Sequence, residues 1–201
     1  EWLAQVRRTA LNRLSDIEAP STDEEVWRYS RIGELDLDRY TPLKRQRAVD
    51  TVVERDLAAF GPMSAVVVVR NGWVVEVTLN AEVADAGVTV GPIADLDDGA
   101  DHLGAALDVP VDLFGYLNRA FGPEPVAVVV PDGVRLEDPV VVVALTDADD
   151  AAVFSRVIIR VGDDAAATVV ELHTSTEVGS LVVPVLEATV GSHGYLRHAV
   201  V

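Results

Sequence analysis

The sequence predicts a mainly β protein in which a β-solenoid core follows a small helical N-terminal region. After Pro125 the chain consists of apolar runs that alternate with Asp- and Gly-rich turns, a pattern typical of strands. Residues 160–165 also align with residues 189–194, which indicates a repeat of about 30 residues. The absence of helical periodicity between these strands argues against a βαβ fold. A β-sandwich would also give many short strands, so it stays open as an alternative.

The amino-acid composition supports this fold class and argues against certain classes of binding partner. Of the 201 residues 49% are apolar and 5% are aromatic, so a sizeable core must consist mostly of Val, Ala and Leu. Branched side chains of this kind pack well on a pleated sheet. The formal net charge is −17, which repels phosphate backbones and anionic lipid and argues against nucleic acid and membranes as partners.

Several classes of site and location are excluded or disfavoured. The chain has no cysteine, which excludes disulfides, thiol nucleophiles and thiolate ligands for a metal or cluster. No apolar run reaches the ~18 residues of a membrane span, and the first residues do not resemble a secretory signal, so a cytoplasmic location is expected. The chain starts without Met and stops inside a predicted strand, so we expect it to be a fragment.

The N-terminal region is predicted to be helical. Thr22 and Glu25 have the spacing of a capping box for a short helical turn over residues 26–30. Residues 40–57 have a weak, polar pattern and are interpreted as a connector. An amphipathic helix that ends at Pro20 is predicted from apolar residues at three- and four-residue spacings, namely Trp2, Val6, Ala10, Leu14 and Ile17.

The segment from 61 to 122 mixes strand and helix signals. Asn71-Gly72 is a strong turn signal between two apolar runs, residues 65–69 and 73–79, and predicts a hairpin or two successive solenoid strands. A short strand is expected at 88–90. A second helix is predicted over 111–121, followed by Gly122 and a proline. The strands predicted after it cover residues 126–130, 140–145, 157–161, 167–172, 181–186 and 195–201.

Four segments of this chain resemble, in order, segments of the SufD-type proteins of the SUF iron–sulfur cluster assembly system. Residues 24–30, Glu-Glu-Val-Trp-Arg-Tyr-Ser, resemble the family's Glu-Glu-Trp-Arg-Tyr-Thr, with an inserted Val26 and with Ser30 for Thr. Residues 112–121 are similar to its Asp-x-Phe-x-x-Leu-Asn-x-Ala-Phe helix. The third match, at 128–140, is a strand and a turn followed by Leu-Glu-x-Pro. The fourth consists of the successive strands at 156–162 and 167–171.

The resemblance implies a right-handed parallel β-helix preceded by a helical region, in a scaffold subunit that is not an enzyme. It implies two partners, a SufB-like paralogue and a SufC-like ABC-type ATPase. The family's functional residues would lie beyond Val201, so no catalytic, cofactor-binding or metal-binding residue is assigned, and no cofactor is expected in this fragment. The expected divisions are a helical region and connector at 1–60, a mixed segment at 61–122 and the first coils of the β-helix at 123–201.

Trp27, Arg28 and Tyr29 are the candidate site residues. Trp, Tyr and Arg dominate binding hot spots, but the same residues could anchor the N-terminal helices to the solenoid, and both interpretations stay open.

Two further groups invite a metal hypothesis. His193, His198, His173 and Glu171 offer zinc or iron ligands, yet strand alternation and a turn need not bring them together, and surface or turn histidines are favoured. A cluster of aspartates suggests calcium, but without EF-hand spacing turn formation is favoured; its members are Asp147, Asp149, Asp150, Asp163 and Asp164.

No motif predicts catalysis. Residues 191–194, Gly-Ser-His-Gly, lack the strand–elbow–helix context of a nucleophile and are interpreted as a turn, and no phosphate loop is present. Two alternative functions remain: a β-helix polysaccharide lyase or hydrolase, and a structural or oligomerisation module without an iron–sulfur role. Because a solenoid cut at Val201 would expose an uncapped coil, self-association of the fragment through that end is predicted.

Overall fold

The structure of the chain, a computed structural model, describes residues 1–45, 57–58 and 60–201. Its helices are α1 (Trp2–Arg13), α2 (Ala81–Asp85), α3 (Gly99–His102) and α4 (Leu113–Phe121), with short 3-10 turns at Leu14–Asp16, Ile32–Glu34, Leu37–Arg39 and Ile93–Asp95. Its strands are β1 (Thr41–Pro42), β2 (Ala65–Arg70), β3 (Trp73–Leu79), β4 (Thr89–Pro92), β5 (Val126–Val130), β6 (Val140–Thr146), β7 (Ala151–Val153), β8 (Arg156–Val161), β9 (Ala166–Ser175), β10 (Leu181–Val182), β11 (Val185–Val190) and β12 (Tyr195–Val200).

These strands form three sheets. Sheet I has the order β12-β9-β6-β2-β3, sheet II the order β11-β8-β5-β4, and sheet III the order β1-β7-β10. Among the described strands, β2 with β3 and β4 with β5 pair antiparallel, and the other neighbours pair in parallel. The chain is therefore mainly β, with a helical N-terminus, as the sequence predicts.

One sequence offset occurs among the parallel pairs of each of the three sheets, although the β5–β8 pair has an offset of 31. Val140 pairs with Val169 in sheet I, and Leu186 with Val157 in sheet II, both 29 positions apart. In sheet III Leu181 pairs with Ala152 at the same offset of 29. The predicted repeat alignment is confirmed, because residues 160 and 161 pair with residues 189 and 190.

A valine-rich core lies between sheets I and II. The inward residues of β5, β6, β8 and β9 form one buried cluster that includes Val128, Val142, Ile159 and Val169. The outer faces are covered as well, since Val141 and Val143 pack under Phe60 and Met63 while Ile158 packs under Trp2 and Leu3. Parallel strands buried on both faces carry near-continuous apolar runs, which explains why β6 reads Val-Val-Val-Val-Ala-Leu-Thr.

The N-terminal predictions were right in type and wrong in detail. Helix α1 ends at Arg13 and passes into a 3-10 turn, so the predicted helix end at Pro20 was too late. The predicted capping pair is shifted by one residue: Ser21 N donates to Glu24 Oε1 at 2.9 Å, and the following residues form turns. In the predicted connector Thr41–Pro42 forms β1, while residues 46–56 lie outside the described residues.

The middle segment follows its prediction closely. Strands β2 and β3 form an antiparallel hairpin in which Asn71 and Gly72 have φ of 50° and 87°, as a two-residue turn of the mirror-image type requires. The predicted strand at 88–90 is shifted to Thr89–Pro92. Helix α4 starts at Leu113, with the Asp112 carboxylate accepting from Gly115 N at 2.8 Å.

Two strand predictions needed correction. The single strand predicted over 181–186 is two strands in different sheets, β10 and β11, because Pro184 separates them and lacks the N–H that a ladder needs. Strand β7 was not predicted at all. It is three residues long and is defined by its parallel pairing with β1 and β10. No helix in the described part of the chain has both the length and the apolar character needed to cross a membrane.

Candidate functional site

The predicted site residues Trp27, Arg28 and Tyr29 have different environments. The Trp27 ring is half-buried and meets Phe114 of α4 edge-to-face, with ring centroids 5.6 Å apart. Arg28 is exposed, and Tyr29 is 95% exposed. Trp27 therefore attaches the N-terminal turns to α4, while its two neighbours lie on the surface and are accessible to a partner.

A buried asparagine on α4 joins two neighbouring strands of sheet II. Asn118 is 1% exposed, and its Nδ2 donates to the carbonyls of Ser155 and Val183 at 2.8 and 2.7 Å. These residues lie immediately before β8 and before Pro184, which precedes β11. The Oδ1 of Asn118 accepts from Arg156 Nε at 2.9 Å, so both polar atoms of the amide, through three hydrogen bonds, fix the two strand entrances.

A buried ion pair extends this contact. Arg156 and Glu187 are 3% and 2% exposed, and Arg156 Nη1 donates to Glu187 Oε1. Glu187 Oε2 accepts from Gly104 N at 2.9 Å, which ties the loop after α3 to β11. Burial lowers the pKa of the Arg156 guanidinium, and the charge of Glu187 opposes that shift.

A small cavity adjoins the ion pair. It has a volume of about 90 Å³ and is lined by His102, Glu187, Thr189 and Asp101, among others. His102 is 3% exposed, and its Nε2 lies 3.1 Å from Asp98 Oδ2. This part of the molecule thus combines a buried carboxylate, a buried imidazole and space for solvent.

A second polar cluster lies on the inward face of β9 and β12. Val169 belongs to the core, and strand alternation places Glu171 and His173 on the same face of β9. His198 of β12 pairs opposite Val169 and lies 2.8 Å, through Nε2, from Glu171 Oε1. His173 Nε2 lies 3.5 Å from Glu171 Oε2. Two of the three histidines named from the sequence therefore converge on one carboxylate, although the sequence pattern favoured surface or turn histidines.

The cluster stabilises a buried negative charge. Burial raises the pKa of Glu171, but the contacts with His173 and His198 outweigh it, and the pKa lies below its usual value of 4.5. His173 also borders a cavity of about 290 Å³ lined by Thr146, Ser175 and others. Across the described ranges, no group of three or more His, Cys, Asp or Glu side chains is placed to hold a metal ion.

His193 does not join this cluster. It lies in the turn at 191–194 with φ of 54°, and its Nδ1 is 3.7 Å from Asp164 Oδ1 with both side chains exposed. The interpretation of Gly-Ser-His-Gly as a turn is confirmed.

The aspartates considered for calcium hold turns together. Asp163 N donates to Asp132 Oδ1 at 2.8 Å, and Asp163 Oδ1 accepts from Ser192 N at 2.7 Å, so three successive turns are stacked. Asp149 Oδ1 accepts from Gly179 N at 2.7 Å in the same way. The interpretation of Asp149 and Asp163 as turn formers is confirmed.

Two more of these aspartates form ion pairs with arginines. Asp150 contacts Arg39 at 2.8 Å on the surface, and Asp147 contacts Arg70 at 2.8 Å. Burial raises the pKa of Asp147, but hydrogen bonds from Arg70 and Asn71 outweigh it and the pKa falls below 3.8.

Arg156, Glu187 and Asn118 were not named as candidate site residues from the sequence, although Asn118 and Arg156 lie within the segments 112–121 and 156–162. The available signal was a charged residue inside an apolar strand, as in Val-Leu-Glu-Ala-Thr-Val of β11. Comparison with known proteins adds no assignment: no protein-family model matches the chain, and no curated protein matches it either.

Proposed function

We propose that the chain is the N-terminal part of a SufD-type scaffold subunit, which supports iron–sulfur cluster assembly without catalysing a reaction itself. In this proposal a right-handed parallel β-helix presents its surface to a SufB-like paralogue and a SufC-like ATPase in the cytoplasm. The common 29-residue offset in three sheets supports the β-helix, because each repeat then contributes one strand to every sheet.

One observation carries the proposal: the segments that resemble the family contact one another although they are distant in sequence. Trp27 of the first segment packs on Phe114 of the second. Asn118 of the second segment binds Arg156 of the fourth. Asp132 of the third segment accepts from Asp163, next to the fourth. Chance matches would have no reason to fall on residues that hold each other in place.

The character of these contacts also favours a scaffold. Asn118 and Glu187 are engaged with backbone groups and with Arg156. Groups used in this way hold elements in position, and such rigidity suits a subunit that presents a fixed surface to partners. Arg28 and Tyr29 are two exposed residues through which such a surface could act.

The test is co-expression of the full-length parent protein with the SufB- and SufC-like proteins of its organism, followed by affinity purification on the parent protein. Recovery of both partners in stoichiometric amounts is expected. The control is the same co-expression with an unrelated acidic protein as bait, since a charge of −17 can attract proteins nonspecifically. Recovery of neither partner, with all three proteins soluble, would overturn the proposal.

A second measurement concerns the fragment itself. After incubation with ferrous iron and sulfide and removal of the excess, the protein should be colourless, because it has no thiolate ligand. A stable brown chromophore would contradict a purely structural role for this part of the chain.

An oligomerisation module without an iron–sulfur role is the second candidate. Strands β10, β11 and β12 each end their sheet, and apolar residues of this end are exposed, including Leu186, Val190 and Val200. Strand edges that have no neighbour among the described residues favour association. Light scattering on the chain and the co-expression test must be read together to separate the two candidates. Self-association of the chain combined with recovery of neither partner would favour the oligomerisation module.

A further inference from the structure

A groove lies between the antiparallel ends of sheets I and II, and one of its lining residues, Asp98, also contacts the buried His102 described above. Strands β3 and β4 occupy the ends of the two sheet orders, and the described residues provide one pairing neighbour for each of them. The space between them has a volume of about 680 Å³. It is the volume of a peptide segment or a small ligand rather than of a few water molecules.

The walls of the groove are apolar. Val77 of β3 is 39% exposed, and Leu79 and Val90 are half-buried along the same opening. The floor includes the buried Val88 and Gly91. A Cβ atom at Gly91 would lie 3.9 Å from Val77 Cγ2, so the two strands approach closely there. Alternating apolar side chains fit walls of this kind.

The rim of the groove is acidic. Asp95, Asp97 and Asp98 are among the lining residues, and all three are exposed. The lining residues include no Lys or Arg, and the whole chain carries a net charge of −17. The potential at this rim therefore attracts a cationic partner and repels a second copy of the chain.

We propose that this groove binds an extended, basic segment of a partner protein. Arginine or lysine side chains of the segment pair with the three aspartates, and its alternating small apolar side chains contact Val77, Leu79 and Val90. The extended conformation follows from the two strands, β3 and β4, whose residues line the groove. The proposal does not depend on the SUF assignment, because it concerns only the surface of this chain.

The test is fluorescence anisotropy with a labelled peptide of about eight residues that alternates arginine and valine, a length typical of a strand. The variant D95N/D97N/D98N should bind this peptide about tenfold more weakly, since three exposed charge contacts are worth roughly 0.2–1 kcal/mol each and tenfold corresponds to about 1.4 kcal/mol. Val77→Ser should weaken binding as well, without a change in charge.

The matched control removes the same number of charges elsewhere. D23N/E25Q/E177Q alters three exposed acids that do not line the groove and should change the affinity less than about twofold. A second peptide that alternates arginine and serine carries the same charge without the apolar side chains and should bind more weakly to the wild type.

Two outcomes would overturn the proposal. Equal weakening by D95N/D97N/D98N and by the control variant would show that the peptide is held by net charge alone. Equal affinity for the Arg–Val and Arg–Ser peptides would show that the apolar walls take no part, so that the rim would attract any cation, a polyamine included. Retained circular dichroism spectra of the variants exclude unfolding as the cause.

Discussion

Replacement of Asn118 by alanine removes the side chain that fixes the entrances of β8 and β11. The change leaves the carbonyl of Val183 and the Nε of Arg156 without their partner, whereas the carbonyl of Ser155 keeps the hydrogen bond from Val185 N at 3.0 Å. An orphaned buried polar group costs about 1–3 kcal/mol, and more when it is charged. With two such groups, Asn118→Ala should lower the free energy of unfolding by about 3–5 kcal/mol.

The measurement is urea denaturation followed by far-UV circular dichroism, with the midpoint and the slope compared between proteins. The expected loss is a large part of the ~5–15 kcal/mol that stabilises a typical domain. Asn12→Ala serves as the matched control, because Asn12 is exposed near the end of α1 and its replacement should stay within about 0.5 kcal/mol. A loss below about 1 kcal/mol for Asn118→Ala would refute the reasoning, since water would then have to satisfy both groups.

Three further predictions concern the turns, the interior cluster and the N-terminal turns. Gly191→Ala should destabilise the protein by about 1–3 kcal/mol in the same denaturation assay, because the added Cβ would lie 2.7 Å from a backbone nitrogen of the stacked turn before it. Gly33→Ala is the control: a Cβ there meets open space, so the variant should be neutral. The pKa of Glu171 is lowered in the folded state, so its charge stabilises the protein above pH 4.5. The free energy of unfolding of the wild type should therefore exceed that of Glu171→Gln at neutral pH, and this difference should shrink as the pH falls below 4.5. A difference that is constant from neutral to acid pH would contradict this. Trp27→Ala should lower the free energy of unfolding by about 2 kcal/mol, because burial of the ring and its contact with Phe114 are lost, and it should increase hydrogen exchange over residues 21–36. Tyr29→Ala, at a site that is 95% exposed, should change neither quantity.

Local patterns were sufficient for most of the strands and for α4. The hairpin was predictable because Asn71-Gly72 determines its turn and its register as far as Val69, where a bulge shifts the pairing, and β5 was predictable because it is a complete apolar run between turn signals. Strand β7 was not predictable in this way. Its three residues carry no periodicity, and they form a strand only because β1 and β10 pair with them. These partners are distant in sequence: Thr41 pairs with Ala151, 110 positions away, and Leu181 pairs with Ala152, 29 positions away.

The polar clusters were harder to predict than the strands, for a related reason. The 29-residue offset was visible in the sequence, and it places His198 opposite Val169, one diagonal step from Glu171. Applied to each charged residue inside a strand, the offset would have predicted this contact. It would also have placed Glu187 opposite Ile158, close to Arg156. The participation of Asn118 could not be predicted, because it depends on how α4 packs against sheet II.

The buried polar contacts address a difficulty that the valine-rich strands create. In β6 nearly every residue is a buried apolar one, so a slip by one or two positions exchanges valine for valine and changes hydrophobic burial little. Between β8 and β11, Arg156 and Glu187 do not allow a slip of this kind, because each would then lie in an apolar environment without its partner. The double variant Arg156→Met/Glu187→Leu should therefore keep most of the stability yet lose the unique register. Its amide NMR spectrum should show doubled or broadened signals in β8 and β11, whereas Arg156→Met alone should be destabilised by about 3–5 kcal/mol because it leaves a buried carboxylate unpaired. A double variant with one sharp set of signals would show that the turns alone set the register, through contacts such as that between Asp163 and Ser192.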